Sequence, residues 1–252
     1  MDCFPVPVRR KISQHGFDEL AASIELLHTK FLKYRQPVIS ISFDTEEAVT
    51  VGHIFVLWQA HLHRVERLMI SCGSAIENND PYGLATLIRA FVESTAVVTS
   101  IRSKMDDWAE GRISYEQFDT TLMSTLLGSR SEHLPQSPAA INILTHIKNA
   151  DQYIDRVMPM TEASPLSTMY GALSEYAHPN LPSNAIAFAV LEPGIYRFQH
   201  NAKITDQHVM FLGMLHTSAL TFERVSASHR LLLTKDPAEI VAAFDASEAE
   251  KR

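Results

Sequence analysis

The sequence predicts an all-α protein: a single multi-helix bundle of about seven or eight helices, with one short β-hairpin near 185–199. Three observations carry this reading. Apolar residues recur at three-four spacing along most of the chain, as in Phe17, Leu20, Ile24, Leu27 and Phe31. Helix start and stop residues punctuate those runs at short intervals, which makes consecutive helices antiparallel neighbours. A sheet-like pattern stands out only in AIAFAVL and IYRFQ, joined by a three-residue turn EPG.

The elements follow in order. Residues 13–35 form the first helix, which Pro37 stops. VISISF at 38–43 alternates and reads as a short extended piece. Asp44 or Thr45 caps a second long helix reaching Asn78, with a break or kink expected at Gly52. In NNDP, Asp80 accepts from free amides and Pro81 suits the first helical position, so a third helix runs to about Ala109 before Gly111. Ser114 and Gln117 make a capping box for a fourth helix, closed by Gly128. Ser137-Pro138 opens a fifth helix to about Met158. Ser164-Pro165 opens a sixth, which ends at His178 before Pro179. After the hairpin, Thr205 or Asp206 opens a long seventh helix to about Leu233, and Asp236-Pro237 a short terminal one.

The whole chain, 1–252, reads as one helical domain, with 1–12 and 247–252 as frayed ends. Its 46% apolar content supports a substantial core. The net charge of -7, with only short basic clusters at Arg9, Arg10 and Lys11 and at Arg64 and Arg67, argues against a nucleic-acid partner. Cys3 and Cys72 match no ligand or redox spacing, which implies a reducing, cytoplasmic setting. MDCFPVPVRRK lacks the apolar core of a secretory signal. No eighteen-residue window reads as apolar enough to span a bilayer; the nearest, Gln207 to Phe222, holds His208, His216 and Thr217. No membrane association and no cofactor are expected.

Two stretches point to a site. Between Pro81 and Ile101 the only charges are Arg89 and Glu93, one helical turn apart on one face. A charge on so apolar a helix is tolerated when paired, and Arg89 could then hold a phosphate or carboxylate. Thr86, Arg89, Glu93 and Ser100 also share a stripe that would suit a solvent face, or a buried pair that sets helix register. In the predicted sixth helix, Ser167, Gly171, Ser174 and His178 share one side, with His178 a candidate acid or base or simply a C-terminal histidine favoured by the helix dipole. Arg89 and His178 are the catalytic candidates if the protein is an enzyme. Ser174 and His178 lack the elbow and oxyanion loop of a hydrolase.

Two further patterns are weighed. Glu25-x-x-His28 and Glu175-x-x-His178, with single residues Glu66 and Glu93, match the ligand spacing of a helical di-metal site. Composition alone yields such pairs, Arg89 would sit beside the metal, and no metal is assigned. Arg10 with His15, and Arg224 with His229, match the Arg-x4-His spacing of helical HEPN ribonucleases, but Val225 stands where those enzymes carry a polar residue.

The strings RAFVE at 89–93 and YGALSEYAH at 170–178 together resemble a large group of uncharacterised bacterial all-helical proteins, some discussed as HEPN-related. The resemblance covers roughly 50–230 and implies that Arg89, Glu93, Tyr170, Ser174 and His178 converge. It implies nucleotide or RNA chemistry as one possibility. The expectation is a buried polar site for a small anionic ligand or a partner, a homodimer among the candidates. The alternatives are a HEPN-like nuclease or a di-metal carboxylate protein.

Overall fold

Nine helices and one hairpin account for the described residues of a computed structural model, which are 2–41, 43–157, 165–199 and 203–233, with side chains excepted at 47 and 229–233. They divide into two compact units that are discontinuous in sequence. Unit 1 takes 1–34, 64–94 and 162–220; unit 2 takes 35–63, 95–161 and 221–252. The predicted terminal helix at Asp236 lies outside the described residues.

In unit 1, α1 (Val6–Gln14) precedes α2 (Asp18–Tyr34). The chain turns between them at Gly16, whose φ of +77° suits glycine. The expectation of a frayed start is corrected here. Cys3, Phe4, Val8 and Ile12 are buried. Arg9 donates to the Phe4 carbonyl and to Glu25, and Lys11 donates to the carbonyls of Ile76 and Glu77. The basic triplet is therefore partly consumed in holding the N-terminal segment, and Lys11 caps carbonyls that the end of α3 (Glu46–Glu77) leaves free.

The predicted start of α4 (Pro81–Ala109) is observed in detail: Asp80 Oδ1 accepts from the Gly83 amide at 2.8 Å. At its far end, in unit 2, Gly111 at φ +66° closes the helix, its amide donating to the Trp108 carbonyl. α4 corrects the hydropathy reading, because by length and composition it could cross a membrane; 72% of its most apolar window is buried inside the fold. That burial is what a core helix shows.

α7 (Leu166–Ala177) follows Pro165, which makes no side-chain cap bond, and ends at His178, whose extended backbone precedes Pro179. A helix not anticipated from the sequence, α8 (Leu181–Ala187), follows. It takes the residues 185–187 assigned above to the hairpin. Only β1 (Phe188–Glu192) and β2 (Ile195–Phe198) pair, antiparallel, with Phe188 opposite Phe198 and a bulge between Val190 and Glu192. Pro193-Gly194 makes the turn, with Gly194 at φ +83°. α9 (Asp206–Leu233) starts where Thr205 predicts it.

In unit 2, Thr45 Oγ1 accepts from Ala48 at the start of α3. The kink expected at Gly52 is not seen, since α3 is continuous there. A β-carbon at Gly52 would lie 2.6 Å from Ile41, so the glycine makes room for the preceding loop. The described part of 38–43 forms no strand. The capping box of α5 (Tyr115–Leu126) is present in both directions between Ser114 and Gln117. α6 (Ile143–Val157) starts later than Pro138, at Asn142, whose side chain accepts from Leu144. Ile54, Leu57, Ile101, Met105, Trp108, Phe118 and Leu122 form one core cluster of this unit, where Trp108 stacks on Phe118.

Candidate functional site

Arg89 lies in the third turn of α4, on a helix whose neighbouring positions Ile88, Phe91 and Val92 are fully buried. Its side chain keeps 20% exposure and Glu93 26%. The two charges meet at 3.4 Å, Nε to Oε1. The Nε itself is buried and finds no hydrogen-bond geometry, so Glu93 balances the charge without a directed bond.

The other partners come from α7 and its C-terminal end. Arg89 Nη2 donates to the Tyr170 hydroxyl at 2.7 Å, and the guanidinium carbon lies 4.7 Å from the centre of the Tyr170 ring. Nη1 reaches His178 Nε2 at 3.4 Å. Because a guanidinium only donates, Nε2 is the acceptor in this contact. Four of the five predicted site residues thus meet, all within unit 1.

Ser174 behaves differently from the rest. Its hydroxyl donates to the Tyr170 carbonyl one turn earlier at 2.6 Å. That back-bond takes up the hydroxyl proton. Gly171 and Ser167 are exposed, and a β-carbon at Gly171 would meet nothing within 4 Å. The side of α7 expected to admit a ligand is open to solvent at those two positions.

The residues of the di-metal spacing take other partners. Among the described residues no group of three His, Cys, Asp or Glu side chains could hold a metal. Glu25 pairs with Arg9, Glu175 accepts from Asn180, and His178 faces a fixed cation. Of the HEPN-spaced pairs, His15 contacts Asp206 through Nδ1. The His229 side chain lies outside what is described.

Sequence reasoning missed Tyr176 and His208, which line a cavity of about 410 Å³ in unit 1. Tyr176 packs edge-on against Phe211 and accepts a hydrogen bond from Gln207 at 2.7 Å. At 100° per residue, Tyr176 falls on the other side of α7 from Tyr170 and Ser174. The available signal was Thr205-x-x-His208, an acceptor at the position a capping box fills with Glu or Gln.

Comparison with known proteins adds no relative: no family model matches the chain, and neither a curated protein nor a solved structure does.

Proposed function

We propose that this protein binds a small anionic ligand at the Arg89 cluster, with Tyr170 and His178 completing the contact. One observation carries the reading: Arg89 converges on two side chains that lie 81 and 89 residues further along the chain. Its charge is met by one carboxylate without a directed bond, and its other two contacts are a phenol and an imidazole rather than a second carboxylate. His178 is exposed, so an anion arriving from solvent would take over Nη1 from the 3.4 Å contact. Both cysteines are free thiols, which supports a reducing, cytoplasmic setting.

The test is a thermal-shift panel of inorganic phosphate, nucleotides and acidic metabolites. A ligand at one hundred times its Kd stabilises by about 2.7 kcal/mol, a rise of several degrees in Tm. Arg89→Gln and His178→Ala are expected to abolish the rise. A panel without a shift, or a shift that both variants retain, would contradict the reading. Turnover of RNA or nucleotide in the same panel, lost in His178→Ala, would make the site that of an enzyme.

A second reading is favoured by the Glu93 pair itself. Arg89, Glu93 and Tyr170 would then serve to hold α4 and α7 in register. Loss of stability in Arg89→Gln with no ligand effect would select it.

A further inference from the structure

The cavity on the far side of α7 is separate from the Arg89 cluster and shares no residue with it. Its described lining holds one cation, several neutral polar groups and no carboxylate. His208 is 6% exposed and lines the cavity. The Thr205 amide donates to His208 Nδ1 at 3.1 Å. Nδ1 therefore holds the lone pair, and the proton of the neutral ring sits on Nε2. Burial lowers the His208 pKa, which keeps the ring in that neutral form. Among the described residues Nε2–H has no hydrogen-bond partner. Nε2–H is therefore the donor that His208 has left to offer a guest in the cavity.

Two neighbouring groups add further donors beside the acceptor oxygens of Gln199, Thr205 and Gln207. The Tyr176 hydroxyl accepts from Gln207, which leaves its own proton to donate. Lys203 lines the wall and forms no ion pair among the described residues. The first turn of α9 opens there and adds the positive end of a 28-residue helix. No carboxylate is among the described residues lining the space; Asp206 is turned to His15. Pro182 and Ile186, from α8, supply an apolar wall opposite. The volume, about 410 Å³, is that of a small organic ligand.

We propose that this cavity is a second binding site, for a small organic carboxylate with an apolar body. The carboxylate meets Lys203, the Tyr176 hydroxyl and His208 Nε2–H, and the body lies against Pro182 and Ile186.

Benzoate is a suitable probe and benzamide its neutral counterpart. Titration into the full chain, followed by amide chemical shifts, is expected to move Tyr176, Gln207 and His208. Benzoate is expected to bind about tenfold more tightly than benzamide, since a charge-assisted bond is roughly twice as strong as a neutral one. Lys203→Ala is expected to weaken benzoate at least fivefold. His208→Glu keeps a capping-box acceptor at the start of α9 while placing a carboxylate in the cavity, and is expected to abolish binding. His208→Gln, which keeps both cap and donor, is expected to retain most of it. Equal affinity for benzamide, no binding of benzoate, shifts confined to Arg89 and His178, or an unaltered Lys203→Ala variant would each overturn the proposal.

Discussion

His146 is the sharpest case at the scale of the residue. It is 4% exposed, its Nδ1 has no hydrogen-bond partner, and burial pushes its pKa down to about 4. The folded state holds it neutral, whereas the unfolded chain protonates it near pH 6.5. The unfolded state thus binds the extra proton, and stability falls as pH drops from about 6.5 to about 4. The loss is on the order of 3 kcal/mol, because each tenfold change in proton affinity between the two states is worth about 1.4 kcal/mol. His28, His208 and His216 are lowered by burial as well and act in the same direction. Urea denaturation at pH 7.5, 6 and 5 measures this, and His146→Leu is expected to flatten the slope. An identical pH dependence in the variant would contradict it. None of these depressions could be read from sequence, where His146 is one of twelve histidines and its depth is not visible.

At the scale of the element, two glycines in unit 1 make opposite predictions. A β-carbon on Gly73 would fall 2.3 Å from the Cys3 carbonyl oxygen, so α3 and the N-terminal segment touch backbone to side there. Gly73→Ala is expected to cost about 1–3 kcal/mol by overpacking. Gly171, exposed in the middle of α7 with nothing near, should stabilise by roughly 0.5–1 kcal/mol as alanine. Thermal melts of the two variants shifting in the same direction would contradict this contrast. Elements with local punctuation were legible: the capping box at Ser114 and Gln117, the Asp80-Pro81 start and the Gly111 stop all appear as expected. Elements whose signals are tertiary were not. Nothing local says that Arg9 will bond Phe4 and Glu25, so α1 reads as a basic tail. α8 did carry a cue, Pro182 in its first turn, but the alternation of AIAFAVL overrode it.

At the scale of the whole molecule, the chain's two units interleave in sequence, since α3, α4 and α9 each contribute one part to one unit and the rest to the other. A reading that walks along the chain sees one helical run and cannot find such a division. The same limit explains the hydropathy of α4, where composition is equal for a membrane span and a buried helix, and only the 72% burial separates them. The lone charged pair on an apolar helix calls for polar company without naming it, and it was the resemblance of RAFVE and YGALSEYAH that implied Tyr170 as a partner of Arg89. Tyr176 and His208 gave no comparable warning, as aromatic and histidine positions on helices are ordinary.

The Arg89 site depends on α4 meeting α7 through that arginine, and a double-mutant cycle between Arg89→Met and Tyr170→Phe tests the contact most directly. Measured by urea denaturation, the two substitutions are expected to couple by about 1 kcal/mol, as for residues that share a hydrogen bond. Additivity to within about 0.3 kcal/mol would show the pair to be independent and would contradict the site.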